Sequence, residues 1–220
     1  MKKGLTEIVF LLDRSGSMSG LESDTIGGFH SMIEKQKKEE GEMLVSVVLF
    51  DDRSEVIYDR VDIGKIETMN DSQYYVRGCT ALLDAIGDSI NHIKKVRKDM
   101  EKEKRPEKTI FIITTDGMEN SSREYSYDRV KNMIENCQEN DWEFIFLGAN
   151  IDAAAEASRM GISKGRAVTY TCDSVGTALN FKVLGSVVSR MRSCKSSKDM
   201  GKVFEEDCFE EIKKDHKKRG

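Results

Sequence analysis

Residues 8–18 read Ile8-Val9-Phe10-Leu11-Leu12-Asp13-Arg14-Ser15-Gly16-Ser17-Met18. Five apolar residues run without alternation and stop abruptly at an aspartate followed by small hydroxyl residues. An unbroken apolar run of this length suits a strand covered on both faces, as in a parallel sheet between two helix layers. The texture returns at Ile110-Phe111-Ile112-Ile113, which leads through two threonines to Asp116-Gly117, and again at Phe144-Ile145-Phe146-Leu147. Working outward, the strand candidates fall at 8–13, 44–51, 55–61, 109–115, 143–147 and 167–171.

Helical stripes lie between them. Ile26, Phe29 and Ile33 recur at helical spacing, as do Leu82, Ile86, Ile90 and Ile93. Tyr127, Val130, Ile134 and Cys137 repeat the pattern, and Leu184, Val187, Val188 and Met191 repeat it once more. The second and third strand candidates are joined only by Asp52, Arg53 and Ser54. A parallel crossover needs a dozen or more residues, so that pair is an antiparallel hairpin. The sum is a doubly wound α/β fold: a mostly parallel six-stranded sheet with one antiparallel edge strand and helices on both faces.

The 220 residues suffice for one domain with a sizeable core. Charged residues make up 34% of the chain, yet the net charge is only −4 and the signs are mixed. That balance argues against a general nucleic-acid or membrane binder. The first residues make a poor secretion signal, and no stretch reaches the length of a membrane span. Five scattered cysteines without a CxxC pair fit reduced thiols. A cytoplasmic protein is expected.

The chemistry concentrates where strands end. In doubly wound sheets, loops at the carboxyl ends of the strands form the ligand crevice. Asp13, Ser15 and Ser17 follow the first strand and Asp116 follows the fourth. Thr80, in Arg77-Gly78-Cys79-Thr80, directly precedes a helix. Two carboxylates and three hydroxyls are hard oxygen donors, which suits Mg²⁺ or Mn²⁺ and suits Ca²⁺ less well. Gly16 is expected to let the first loop turn tightly.

Asp13-x-Ser15-x-Ser17, then Thr80, then Asp116, resembles the metal-ion-dependent adhesion site of von Willebrand factor A (VWA) domains. The likeness runs over residues 6–192, and the loop wording and amino terminus look more like bacterial intracellular members. The resemblance implies that all five residues serve the metal, directly or through water. It implies an open coordination position that takes a Glu or Asp side chain of a partner protein. It further implies a non-enzymatic binding module, possible partners including ATPase-linked assemblies. A Mg²⁺-dependent phosphoester hydrolase is the alternative, weakened by the lack of a general base or P-loop in the metal loops.

Blander readings stand beside these. Asp13 and Ser15 could simply cap a turn. Cys79, where the family often carries glycine, reads as a small buried hydrophobe. Met18 reads equally as a binding-rim residue or as one folded over its loop. His30, His92 and His216 read as packing or surface residues, and Asn120, Ser121 and Ser122 as loop caps. The charged stretch 94–108 around Pro106 reads as a helix end and a solvated loop. Residues 1–193 are expected to form the VWA domain, and 194–220 a charged helical tail docked upon it.

Overall fold

The computed structural model describes residues 1–219. The apolar run at residues 8–12 lies in β1 (Lys2–Asp13), and β2 (Met43–Phe50) and β3 (Ser54–Asp62) form the hairpin. β4 (Pro106–Thr115), β5 (Trp142–Ala149) and β6 (Ala167–Tyr170) complete one sheet in the order β3-β2-β1-β4-β5-β6. All neighbouring pairs are parallel except β2 with β3. The order reverses at β1, so the loops after β1 and β4 diverge around a topological switch point.

The unbroken apolar runs have the expected cause. In β1, Ile8, Phe10 and Leu12 enter one core layer while Val9 and Leu11 enter the other. β4 divides likewise, Ile110 and Ile112 facing away from Phe111 and Ile113. One layer is closed by α1 (Glu22–Lys37), α5 (Ser174–Ser193) and α6 (Glu210–Arg219). The opposite layer is closed by α2 (Leu82–Asp99), α3 (Tyr127–Gln138) and the short α4 (Ala153–Arg159). α1 and α5 approach closely at Gly28, where an added Cβ would meet the Phe181 ring at 2.3 Å.

Three details differ from the sequence reading. β1 begins six residues earlier, because its first residues pair with β2 and the start of β4. Pro106 opens β4 rather than lying in the preceding loop; a proline is tolerated at the first position of a strand. The alanine-rich α4 carries too short an apolar stripe to be legible. After α5, Phe209 and Ile212 are buried in the same core layer as α1 and α5. No helix among the described residues is long and apolar enough to cross a membrane.

Candidate metal centre

The register of the two central strands builds the site. Leu12 pairs with Thr114, so the next residues, Asp13 and Thr115, end side by side. Thr115 Oγ1 donates to Asp13 Oδ2 at 2.6 Å, and Ser15 N donates to Asp13 Oδ1 at 2.7 Å. The chain then makes a 3-10 turn, Gly16–Met18, with Met18 N donating to Ser15 O at 3.0 Å. This turn brings the Ser15 and Ser17 Oγ atoms to 3.2 Å, and Ser17 Oγ donates to Asp116 Oδ1 at 2.5 Å.

The third loop is fastened from both sides. Gly16 N donates to Gly78 O at 3.2 Å, and Arg77 N to Arg14 O at 2.9 Å. Thr80 N donates to Asn120 Oδ1 at 3.0 Å, while Asn120 N and Ser121 N donate back to Thr80 O. A Cβ placed on Gly117 would lie 3.5 Å from Ser17 Oγ and 3.6 Å from Thr80 Oγ1. Both hydroxyls therefore border one spot beside Gly117. All five residues singled out in the sequence stand together at the carboxyl edge of β1 and β4.

Burial sets the electrostatics. Asp13 is 1% exposed and Asp116 2%. Desolvation pushes the Asp13 carboxyl up to about 6, against the opposing hydrogen bonds from Thr115 and Ser15. Burial likewise raises Asp116, with hydrogen bonds from Ser17 and Cys172 working the other way. Cys172 Sγ lies 3.7 Å from Asp116 Oδ2, and burial beside that carboxylate pushes its thiol up to about 11.

Six carboxylates are buried among the described residues: Glu7, Asp13, Asp51, Asp116, Glu143 and Glu156. Four have a cationic partner. Glu7 faces Arg60 and Arg97, Asp51 faces Arg14 and Arg77, Glu143 faces Arg166, and Glu156 faces Arg159. Asp13 and Asp116 have none. Buried charges are ordinarily paired or bound to metal, so these two and their three hydroxyl neighbours fit a divalent cation. No group of three or more His, Cys, Asp or Glu side chains among the described residues forms a metal cluster. The donor set depends on hydroxyls, which favours a hard ion.

Several sequence readings change here. Gly16 has no left-handed backbone; the loop glycine that does is Gly78, at φ +67°. Met18 is buried rather than on an exposed rim, and Cys79 is exposed rather than core. Asn120 is a loop clamp, and Glu119 Oε1 accepts from Ser121 N and Ser122 N. His30 meets Thr68, His92 meets Asp59 and His216 meets Thr171. Arg14, not singled out by the sequence, has a fully buried side chain that pairs with Asp51 at 2.7 Å. Thr115 and Tyr74, also not singled out, are further members of the site, the Tyr74 hydroxyl donating to Asp13 O. Thr115 was legible as the strand-end neighbour of Asp13; Arg14 and Tyr74 carried no local signal.

The model of the von Willebrand factor type A domain matches residues 7–182, and the chain belongs to that family. A search of curated proteins finds no significant match. Among solved structures, the chain is similar to proximal thread matrix protein 1 of the mussel byssus, solved with a zinc-occupied MIDAS motif. Identity is 16%, with 85% of this chain and 46% of that one covered, at TM-score 0.58. It is also similar to the vWF domain of the type V pili tip protein Mfa5 from Porphyromonas gingivalis. There identity is 10%, coverage 88% and 98%, and TM-score 0.59. A third neighbour is the ArnB paralog VWA2 from Sulfolobus acidocaldarius, at 20% identity, 87% and 46% coverage, and TM-score 0.50. The chain thus spans less than half the length of several structures it matches. These likenesses concern the fold.

Proposed function

We propose that this chain is a metal-dependent protein-binding module. In this reading Asp13, Ser15, Ser17, Thr80 and Asp116 hold Mg²⁺, with Mn²⁺ also acceptable and Ca²⁺ less so. The observation that carries the reading is the pair of buried carboxylates without a cation. Two carboxylates balance a divalent charge only when both are ionised, and the hydroxyls add donors without charge. A carboxylate oxygen from a partner's Glu or Asp is a suitable further ligand. VWA domains act as protein-interaction modules, and a zinc-occupied site of this type in one structural neighbour supports metal binding here.

What the chain's own residues do is positional. Thr115 and Ser15 N orient Asp13, Ser17 orients Asp116, and Asn120 fixes the Thr80 backbone. These bonds hold the oxygens in place before the ion arrives, which reduces the ordering cost of binding. No observation at the site favours the hydrolase alternative. Further parts of the proposal are a bacterial cytoplasmic setting, supported by five unbridged thiols, and an ATPase-linked assembly as one setting for the partner. Residues 1–193 form the binding domain in this reading, and 194–220 a charged tail, helical at 210–219 and packed on it, with residue 220 outside the described residues.

The test is capture of partners from the native cell extract in Mg²⁺ and in EDTA, using wild type, Thr80→Ala and Asp116→Ala. The expected outcome is a partner retained only by wild type in Mg²⁺, with losses of about 2–5 kcal/mol in the variants. Equal retention in EDTA would refute metal-dependent docking. Turnover of a generic phosphoester that depends on Asp13 would instead establish the hydrolase.

A further inference from the structure

The stretch 94–108 folds into something its sequence does not suggest. At the amino-terminal edge of the sheet lies a concavity of about 780 Å³. Six basic side chains line it: Lys94, Arg97, Lys98, Lys102, Arg105 and Lys198. Two carboxylates share the lining, Glu139 and Asp141, and Asp141 accepts from Ser197 Oγ at 3.3 Å. In a chain of net charge −4, this is a strong local excess of positive charge. The helix macrodipole favours Lys94 and Lys98, which lie toward the end of α2, but does not account for Lys198, about a hundred residues away.

The cations fall into two kinds. The arginines are anchored: Arg97 donates to Thr109 Oγ1 at 2.8 Å and to Pro106 O at 3.2 Å, stacks over the Trp142 ring, and is held by buried Glu7 at 3.6 Å, so the uncompensated charge comes from the other five. Arg105 donates to the carbonyls of Met100 and Lys98. The four lysines have no carboxylate partner among the described residues and are exposed. Fixed guanidinium walls and free ammonium groups around a space of small-ligand size suit a compact polyanion.

We propose that this concavity binds a chain of phosphate groups, as in an inorganic polyphosphate or the triphosphate of a nucleotide. Compactness favours this class over an extended acidic peptide: all six cations line one hollow of about 780 Å³. The ten residues of β4 separate this edge from the metal centre by roughly 30 Å, at about 3.3 Å per residue. The two sites are therefore independently testable.

Trp142 is the sole tryptophan and lines the hollow, so its fluorescence reports occupancy. The experiment titrates the full chain with sodium tripolyphosphate, with ATP and with hexaglutamate, all in EDTA to exclude metal-bridged binding. Tripolyphosphate and ATP are each expected to give a saturable change that weakens with added salt. The double variant Lys98→Glu/Lys102→Glu, at exposed unpaired positions, is expected to bind at least about tenfold more weakly with unchanged far-UV circular dichroism. Asp116→Ala is expected to respond like wild type, so failure here leaves the metal reading intact and the reverse also holds. The proposal is overturned by no saturable response to tripolyphosphate, or by an unaltered response in the double variant. A response to ATP alone would assign recognition to the base, and a response to hexaglutamate alone would assign the hollow to an acidic protein segment. Either would also overturn it.

Discussion

Glu7 and Asp13 sit on the same strand, six residues apart, and both are buried to within 1% of completely. Glu7 faces two guanidinium groups, Arg60 and Arg97. Asp13 meets no cation and receives hydrogen bonds from the Thr115 hydroxyl and from Ser15. At the next position along the chain, Arg14 lies fully buried against Asp51, which Arg77 also meets at 2.7 Å. The fold thus supplies cations to some buried acids and withholds one from the acids at the switch point. A buried charge left without a partner costs several kcal/mol. Leaving two together makes sense where a divalent ion completes the balance.

The largest effect should come from breaking a completed pair. Arg14→Met leaves Asp51 with only Arg77, and stability in urea should fall by about 3 kcal/mol. The loss should be similar in EDTA and in Mg²⁺, because this pair is complete without metal. A loss confined to Mg²⁺ would mean that Arg14 acts through the metal loop instead.

Neutralising an uncompensated acid should do the opposite. The Asp13 carboxyl is raised from 3.8 to about 6, and each pKa unit corresponds to about 1.4 kcal/mol. The folded state therefore binds this proton more tightly than the unfolded chain. Its contribution is fully present below about pH 4 and lost as pH rises through about 6. In EDTA, Asp13→Asn should raise stability at pH 7.5 by up to about 3 kcal/mol, and the gain should vanish below about pH 4. With saturating Mg²⁺ the order reverses, since wild type alone retains the ionised ligand. Calorimetric melting at the two pH values, with and without metal, checks each sign.

How much of this is legible in the sequence follows from the same contrast. The unbroken apolar runs revealed a two-sided sheet, because burial on both faces removes alternation. The short link 52–54 revealed the hairpin. The clustering of the five candidate residues was legible because they lie in loops that follow strand ends or open a helix, where chain order alone brings them to one edge. Arg14 was not legible: its partner Asp51 comes from the loop after β2, and no local pattern separates a buried arginine from a solvated one. The Lys198 contribution to the basic hollow was hidden for the same reason, since it requires α5 to return the chain to the far edge.

Gly16 and Gly78 sharpen the comparison at smaller scale. Gly78 holds φ +67°, and a Cβ there would lie 2.8 Å from Asp52 Oδ1. Gly16 lies outside the left-handed region, and its Cβ would meet only Gly78 O at 3.5 Å. Gly78→Ala should therefore cost about 1–2 kcal/mol in the metal-free protein. Gly16→Ala should change stability by about 0.5 kcal/mol or less, by the same melting measurement.

The claim that the two unpaired acids await a divalent cation is tested most directly by isothermal titration of metal-free protein with Mg²⁺ at pH 7.5. Wild type should bind one ion per chain and should melt at a higher temperature when loaded. Asp116→Ala should do neither, while Glu143→Gln, which alters a buried acid already paired with Arg166, should bind as wild type does. Absence of Mg²⁺ binding by wild type, or equal binding by Asp116→Ala, would contradict the account.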